Sequence, residues 1–555
     1  MNSLFLSSLT RSALVGPIFL PLAPVLPATA AAQGHGDGKL GAVHFQVSCA
    51  PEVQADFDRA VGLLHHMMYA ESRTAFEEIA ARDSKCAMAQ WGIAMTYFQP
   101  LWPARPGPEA IRSGSEAART AKELGAATER ERDFIAAVEA FYSDPGGAGY
   151  WARIQRWEEA MGNAHRARPD DVETAAFFAL AHLARGLVAE DRMAYQARAA
   201  EILLGIYERE PTHPGAIHYT IHANDVDGRA GESLDVVRSY GGIAPSVPHA
   251  LHMPTHIFVR LGDWPEVIEW NVKSSAAALR FSEGAISMCA HYPHSQAYLL
   301  YAYLQRGEDK AAAAVLEETQ KRMRGEKRLQ QEFVCAFHLA AMPARHAVER
   351  RAWAEASSLP PRSPAHLAWD EYPWPEAITW FARGLGAARA GDLSAARLAE
   401  ARMGELRDRA EGMGEQNWAR YIEIDRRVLA GWLAHGEGDT EDALALMRSA
   451  AELERTVQKD PVTPAALVPP YEALGDLLLE LRRPAEALEA YESSLRIWPR
   501  RFNTLLGAAR AARDAGNPER AHVHYEELMD VAGGSATTRD GVREARRSLA
   551  GQGSS

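Results

Sequence analysis

Two histidine pairs have the spacing expected of metal ligands. His218 and His222 lie four residues apart in HPGAIHYTIHAND, and His252 and His256 repeat that spacing in PHALHMPTHIFVRLG. Corresponding histidines of the two pairs are 34 residues apart, which is the period of a tetratricopeptide repeat. Residues four apart share a helix face, and residues one repeat apart occupy equivalent places on neighbouring helices. The sequence therefore predicts that four imidazoles converge on one wall of a helical solenoid.

Imidazoles arranged in this way are typical ligands of transition metals. A pair at this spacing supplies two nitrogens, and zinc needs one or two further ligands at about 2.0–2.1 Å to complete a tetrahedron. All-imidazole ligation suits zinc, copper, iron or nickel. We predict a divalent transition metal, copper, zinc or iron, without choosing among them. A three-histidine set with one open position would activate water or oxygen, whereas a closed four-histidine set would be structural or a carrier, so catalysis stays open.

Further candidate ligands come from the same stretch of sequence. His213–His294 contains eight of the 20 histidines of the chain. His294 lies at the start of the helix one repeat beyond the second pair. Asp225 closes the first histidine helix, either as a fifth ligand or as an acceptor for an imidazole N–H. His65, on the first helix, is a more distant candidate.

Two other interpretations of the cluster remain open. Any one of these histidines taken alone is better explained as a packed ring that is hydrogen-bonded to a neighbouring helix. Together they would also form a polar pocket for a ligand that contains no metal. Pro254 adds a geometric objection, because a helix that begins there would leave His252 outside it, and the second pair would no longer share a face.

The elements that must position the histidines are helical repeats. LGDLLLELRRPAEALEAYESSLRIWP shows the pattern best: Gly475 lets two helices approach, Ala487 packs where they cross, Tyr491 fills the gap, and Pro499 ends the second helix. Weaker copies run upstream, with Gly-Asp or Gly-Asn turns between helices, and no alternating strand pattern is convincing. The sequence predicts an all-α fold, a tetratricopeptide-like (TPR-like) α-solenoid of antiparallel helix pairs.

The chain divides into four predicted segments. Residues 1–32 read as a signal peptide, with Arg11, an apolar run and small residues at a cleavage site. Residues 40–356 form an N-terminal TPR-like array with the histidine cluster. Residues 357–377, which contain five prolines, form a connecting loop, and residues 378–550 form a C-terminal TPR array. The mature chain is expected to be soluble and exported, periplasmic or secreted.

Charge and cysteines agree with that expectation. The net charge of −13 with no basic block argues against a nucleic-acid partner, and no later apolar stretch is long enough for a membrane span. Cys49 precedes the first predicted helix and Cys86 follows the second, so the two lie at the same end of a helix pair and a disulfide is plausible. For Cys289 and Cys335 the favoured interpretation is a buried free thiol.

Four segments carry a resemblance to known sequences: CAMAQWGIAM, HPGAIHYTIHAND, PHALHMPTHIFVRLG and KDPVTPAALVPPYEALGDLLLE. In these the chain resembles a group of bacterial exported tetratricopeptide-repeat proteins. The resemblance spans nearly the whole mature sequence and implies a repeat fold and an extracytoplasmic location. It implies no activity.

Two functions follow as hypotheses. The first is an exported TPR-repeat protein with a histidine-rich metal site in the concave groove of its N-terminal array, acting as a metalloenzyme or as a structural or carrier site. The alternative is a non-catalytic periplasmic scaffold that binds a protein or peptide. In either case the partner expected in the groove is a protein, a peptide or a small-molecule ligand.

Overall fold

Antiparallel helix pairs make up nearly all of the computed structural model. It describes residues 39–102, 105–143, 149–281, 291–324, 332–533, 537 and 539–552. No β-strand occurs in these residues, which confirms the predicted all-α TPR-like solenoid. The predicted signal peptide and Cys289 lie outside the described residues.

The helices are numbered in chain order. Those of the first half are α1 (Gln54–His65), α2 (Tyr69–Arg82), α3 (Ala87–Met95), α4 (Pro108–Leu124), α5 (Glu129–Tyr142), α6 (Tyr150–Ala167), α7 (Val172–Gly186), α8 (Arg192–Arg209), α9 (Pro214–Asn224), α10 (Leu234–Ile243), α11 (Pro248–His252), α12 (Pro254–Leu261) and α13 (Trp264–Phe281). Those of the second half are α14 (Tyr292–Gln305), α15 (Asp309–Met323), α16 (Glu332–Glu349), α17 (Trp353–Ser357), α18 (Pro373–Arg389), α19 (Leu393–Gly412), α20 (Gln416–Glu437), α21 (Thr440–Glu454), α22 (Pro470–Glu480), α23 (Pro484–Ile497), α24 (Phe502–Asp514), α25 (Pro518–Ala532) and α26 (Asp540–Gln552). Short 3₁₀ helices lie at Pro51–Val53, Ala230–Ser233 and Trp369–Glu371.

Small residues let these helices pack closely. A Cβ added at Gly475 of α22 would lie 2.8 Å from the ring of Tyr491, and one at Gly507 of α24 would lie 2.3 Å from it. Tyr491, on α23, is fully buried between them. The predicted roles of Gly475 and Tyr491 are therefore confirmed in this repeat.

One connected apolar core runs from Val43 to Ala545, and Gly38–Ser555 forms one compact unit. Helices on both sides of the Pro-rich segment share this core. That segment is shorter than predicted, because α18 begins at Pro373 and not after residue 377. Proline fits the first turn of a helix, where its missing N–H has no intrahelical partner to lose.

Disulfides tie down two regions. Cys49 and Cys86 are bonded, as predicted, with Cα atoms 4.8 Å apart. Cys335 is also disulfide-bonded, so its interpretation as a free thiol was wrong: burial alone does not distinguish a thiol from a half-cystine. Among the described helices, none combines the length and the apolar character that crossing a membrane requires.

Candidate metal centre

Proline-initiated helices present the histidines. Proline occupies the first turn of α9, α11, α12 and α14. His218 and His222 lie on α9, His249 and His252 on α11, and His256 on α12. His294 lies in the first turn of α14. The six imidazoles therefore come from four helices between α9 and α14.

The break at Pro254 does not separate the second pair. A new helix does begin at Pro254, but Met253 before it has helical angles (φ −53°, ψ −40°) and donates its N–H to the carbonyl of His249. The chain therefore keeps its helical course through the junction. The Nε2 atoms of His252 and His256 lie 3.1 Å apart, so the pair does share a face.

The first three-histidine set consists of His218, His222 and His249. One ring nitrogen from each lies within 4.8 Å of the others. The ring of His218 lies 5.0 Å from that of His222 and 4.9 Å from that of His249. Among the described residues, the Nε2 atoms of His218 and His222 and both nitrogens of His249 find no hydrogen-bond partner. Buried polar atoms without partners are costly, so these nitrogens are available to bind a ligand or water.

The second three-histidine set consists of His252, His256 and His294, again with one nitrogen from each within 4.8 Å of the others. All three are buried. The ring of His252 lies 4.9 Å from that of His256 and 4.2 Å from that of His294. Three imidazoles at this separation could hold one ion of the size of zinc or copper.

The two sets are adjacent. The ring of His222 in the first set lies 6.2 Å from the ring of His256 in the second. The rings of His249 and His252, which also belong to different sets, lie 6.4 Å apart. Six imidazoles thus form one cluster with two three-nitrogen sites side by side.

Hydrogen bonds at Nδ1 orient the rings of both sets. Nδ1 of His218 donates to the backbone carbonyl of His65 over 2.6 Å. Nδ1 of His252 donates to Oδ1 of Asn271 over 2.8 Å, and the amide of Asn271 is itself fixed because its Nδ2 donates to a backbone carbonyl of α13. A proton on Nδ1 leaves Nε2 with a free lone pair, which is the tautomer that binds metal through Nε2.

Asp225 orients a third ring, that of His256. Its Oδ2 accepts a hydrogen bond from Nδ1 of His256 (3.0 Å) and from Nζ of Lys459 (2.9 Å), and its Oδ1 accepts from Nε of Arg260 (2.9 Å). Burial raises the pKa of Asp225, but Lys459, Arg260 and His256 outweigh that effect and hold the pKa well below its ordinary value. The carboxylate is therefore charged. The structure places it as an acceptor for the imidazole, outside both three-nitrogen sets.

His294 has an imidazole as its partner. Its Nδ1 lies 3.0 Å from Nε2 of His338, a fully buried residue of α16. Burial lowers the pKa of His338 to about 3. A neutral His338 orients the ring of His294 toward the second set without adding charge to the cluster.

Burial keeps the ligand imidazoles neutral. It lowers the pKa of His222 to about 3 and holds those of His218, His249, His252 and His294 well below their ordinary value. Neighbouring imidazoles reinforce the shift in each of these five rings. Metal binding requires deprotonated imidazole, so at neutral pH no proton has to be displaced from the cluster.

A small cavity lies against both sets. Its volume is about 20 Å³, which is room for one or two water-sized molecules. Four histidines, two from each set, line it together with apolar side chains and a proline: His222, His249, His256, His294, Met67, Leu101, Trp102, Pro461 and Val462. Pro461 and Val462 belong to the loop between α21 and α22, which is held by hydrogen bonds from the Tyr298 hydroxyl to the carbonyls of Pro461 and Thr463.

Most of the predicted site residues come together. His218, His222, His252, His256 and His294 all fall in the two sets, and Asp225 lies beside them. His65 does not. Its Nε2 donates to the carboxylate of Glu173 (2.9 Å), its Nδ1 pairs with the Tyr219 hydroxyl (2.9 Å), and its backbone carbonyl instead orients His218.

Sequence reasoning missed His249 and His338 as members of the cluster. His249 precedes His252 by three residues, which on a helix is as close a neighbour as a spacing of four, so the signal was present. His338 lies 44 residues beyond His294, outside any 34-residue echo, and no spacing rule would have found it.

Comparisons with known proteins assign neither a family nor an activity to the chain. No model of a protein family matches the chain, and no curated protein matches it. Among solved structures, it is similar to the APC/C hetero-tetramer Cut9-Hcn1, with 13% identity, a TM-score of 0.27, and 89% of this chain and 96% of that chain covered. It is also similar to a tetratricopeptide repeat protein from Parabacteroides merdae, with 13% identity, a TM-score of 0.29, and 55% of this chain and 98% of that chain covered. Nothing about the site follows from either neighbour.

Proposed function

We propose that this TPR-like protein is exported and binds two transition-metal ions side by side, one in each three-histidine set. One observation carries the proposal: six imidazoles, five buried and that of His222 partly buried, are grouped as two sets whose ring nitrogens converge within 4.8 Å. Packing alone gives no reason to place six desolvated imidazoles together with several ring nitrogens unpaired. Two bound ions would satisfy those nitrogens.

The donor set limits the metals. Imidazole suits copper, zinc, iron and nickel, whereas calcium, magnesium and manganese prefer oxygen ligands. No carboxylate belongs to either set in the described part of the chain. Three neutral nitrogens leave each ion with an open coordination position, as in metal sites that activate a small molecule. We therefore favour a reactive or carrier site over a closed structural one.

Export is the second half of the proposal. It is supported by the signal-like residues 1–32 and by disulfide bonding at Cys49, Cys86 and Cys335, because stable disulfides are typical of oxidising compartments. Cell fractionation and the intact mass of the mature chain test it. A full-length chain confined to the cytoplasm would contradict export.

Elemental analysis tests the metal centre. Mature protein purified without a polyhistidine tag is loaded separately with copper, zinc and iron, desalted and measured by plasma mass spectrometry. We expect two equivalents in the parent protein and one in His218→Ala/His222→Ala. The matched control is His165→Ala/His182→Ala, which removes two histidines of α6 and α7 outside the cluster and should leave two equivalents bound.

The alternative function has a distinct outcome. A parent protein that stays metal-free after loading with each ion would overturn the metal centre. The peptide- or protein-binding scaffold would then be the working hypothesis, and partner capture the next experiment.

A further inference from the structure

We propose that the two ions are copper and that they bind one dioxygen molecule between them. The inference rests on the proposed metal centre and deepens it by naming the metal and its small-molecule ligand. Three features of the structure carry it: the charge of the ligands, the charge of their surroundings, and the shape of the cavity against which both sets lie.

Charge is the first step. All six ligands are imidazoles, and an imidazole that binds a metal ion does so in its neutral form. Two divalent ions would therefore bring four positive charges into a desolvated interior, where uncompensated charge is expensive. Two Cu(I) ions bring only two. Copper is the metal of this donor class with a stable monovalent state, and in its divalent state it also stands highest in the affinity order of nitrogen sites.

The surroundings do not supply the missing negative charge. Among the described residues, Asp225 is the carboxylate in hydrogen-bond contact with the sets, through His256. Its charge is already matched by the cations of Lys459 and Arg260, both buried against it. The positive charge of divalent ions at this place would therefore have to be balanced by an anion that forms at the metals themselves.

Dioxygen supplies that anion with a balanced electron count. Each Cu(I) gives one electron to the dioxygen, which becomes a peroxide dianion bridging two Cu(II) ions. The oxygen–oxygen bond loses its double-bond character without breaking, and no proton or outside reductant takes part. The two copper ions and the bridging molecule carry two positive charges before and after the step. Electron transfer therefore adds no net charge to the buried site.

The cavity fits this ligand. It is lined by His222 and His249 of the first set and by His256 and His294 of the second. A molecule within it therefore touches both sets. Its volume of about 20 Å³ suits a diatomic molecule. Its other walls are largely apolar, which suits a small uncharged gas molecule. They are formed by Met67, Leu101, Trp102, Pro461 and Val462.

The experiment follows copper and dioxygen separately. Metal-free protein is loaded under argon with Cu(I), desalted, and its copper content is measured. Air-saturated buffer is then added while dioxygen uptake is followed with an electrode and by near-ultraviolet absorption. We expect uptake of one dioxygen for each pair of copper ions, a new charge-transfer band that fades when dioxygen is removed, and no paramagnetic copper signal, because the two Cu(II) spins pair through the peroxide.

Two variants locate the reaction. His249→Ala removes one ligand of the first set, and we expect it to lose the band and the stoichiometric uptake while the second set retains copper. Val462→Phe keeps all six histidines and fills the cavity, so we expect two copper ions to be retained and uptake to be lost. Unchanged dioxygen uptake in copper-loaded Val462→Phe would overturn the placement between the sets.

The outcomes separate this inference from the proposal beneath it. A parent protein that binds no metal contradicts the metal centre itself. A parent that binds two copper ions but takes up no dioxygen, or that prefers two zinc ions in direct competition with Cu(I), overturns the dioxygen site and leaves the metal centre standing.

Discussion

Asp225→Asn is the substitution that most directly tests how the cluster is held. The side chain is 3% exposed and accepts from three donors, His256, Lys459 and Arg260, at 2.9–3.0 Å. Asparagine keeps the shape and one acceptor oxygen but removes the charge. Lys459, whose side chain has no exposed surface, would then lack its counter-ion. Removing one partner of a buried ion pair costs about 3–5 kcal/mol.

The same substitution should also weaken metal binding. Loss of the carboxylate behind a metal-binding imidazole typically lowers affinity about 10- to 100-fold, which is about 1.4–2.7 kcal/mol. The loss should fall on the second set, which contains His256, and spare the first. Competition with a chelator of known affinity measures it, with His249→Ala as the background that isolates the second set.

A compensating change separates stability from metal affinity. In Asp225→Asn/Lys459→Met the uncompensated cation is gone, and Arg260 still has Asp227 as an ion-pair partner. We expect urea unfolding of the metal-free protein to recover most of the lost stability, whereas metal affinity stays low. If Asp225→Asn held the second ion as tightly as the parent does, the argument that the carboxylate supports His256 would be refuted.

Three further predictions concern pH, crosslinking and packing. Burial raises the pKa of Asp425 to about 8 and that of Glu454 to about 7, so the folded chain keeps protons that the unfolded chain releases. The buried histidines act in the opposite sense, but their contribution is complete above the ordinary histidine pKa of 6.5. Stability of the metal-free protein should therefore fall between pH 6.5 and 8, and Asp425→Asn/Glu454→Gln should remove that fall. Opening the disulfide between Cys49 and Cys86, which closes a loop of 37 residues, should cost about 4 kcal/mol by loop entropy, measured by urea unfolding of the double serine variant. Gly92→Ala should destabilise the protein by about 1–3 kcal/mol, because its Cβ would lie 2.5 Å from a buried aromatic ring.

Each of these has a control that can contradict it. Gly404→Ala, in the middle of α19 with no atom within 4 Å of the added Cβ, should stabilise by about 0.5–1 kcal/mol. Equal losses at both glycines would mean that close packing is not the cause. Stability that rises from pH 6.5 to 8 would contradict the protonated state of Asp425 and Glu454. Reducing agent without effect on unfolding would contradict a stabilising Cys49–Cys86 bond.

The repeat period predicted which histidines form the site better than it predicted the contacts around them. A period of 34 residues and a spacing of four are local and regular, so the sequence by itself indicates that His218, His222, His252 and His256 lie together. Proline patterns are harder to interpret. Pro254 does begin a helix, yet the helical angles of Met253 keep the two rings on one face, and sequence alone does not reveal the conformation of the residue that precedes a proline.

Contacts between distant parts of the chain were beyond any such pattern. Lys459 pairs with Asp225 across 234 residues, and the Tyr298 hydroxyl bonds a carbonyl 163 residues away. Both contacts depend on how the repeat series brings its later turns back to its earlier ones. That depends on small angles between many helices, which no single segment of sequence specifies.

Those distant contacts also bear on which hypothesis the molecule favours. A TPR-like scaffold binds its partner on an open inner wall, but here Pro461 and Val462 occupy the wall beside the histidines. Bonds from Tyr298 and from the Arg345 guanidinium to backbone carbonyls hold their loop in place. A peptide would have to displace this loop and expose Lys459 and Asp225 as it did so. A metal ion or a diatomic molecule would not have to displace the loop. At this point of the molecule, the contacts of this loop therefore favour the metal-binding hypothesis over the peptide-binding one.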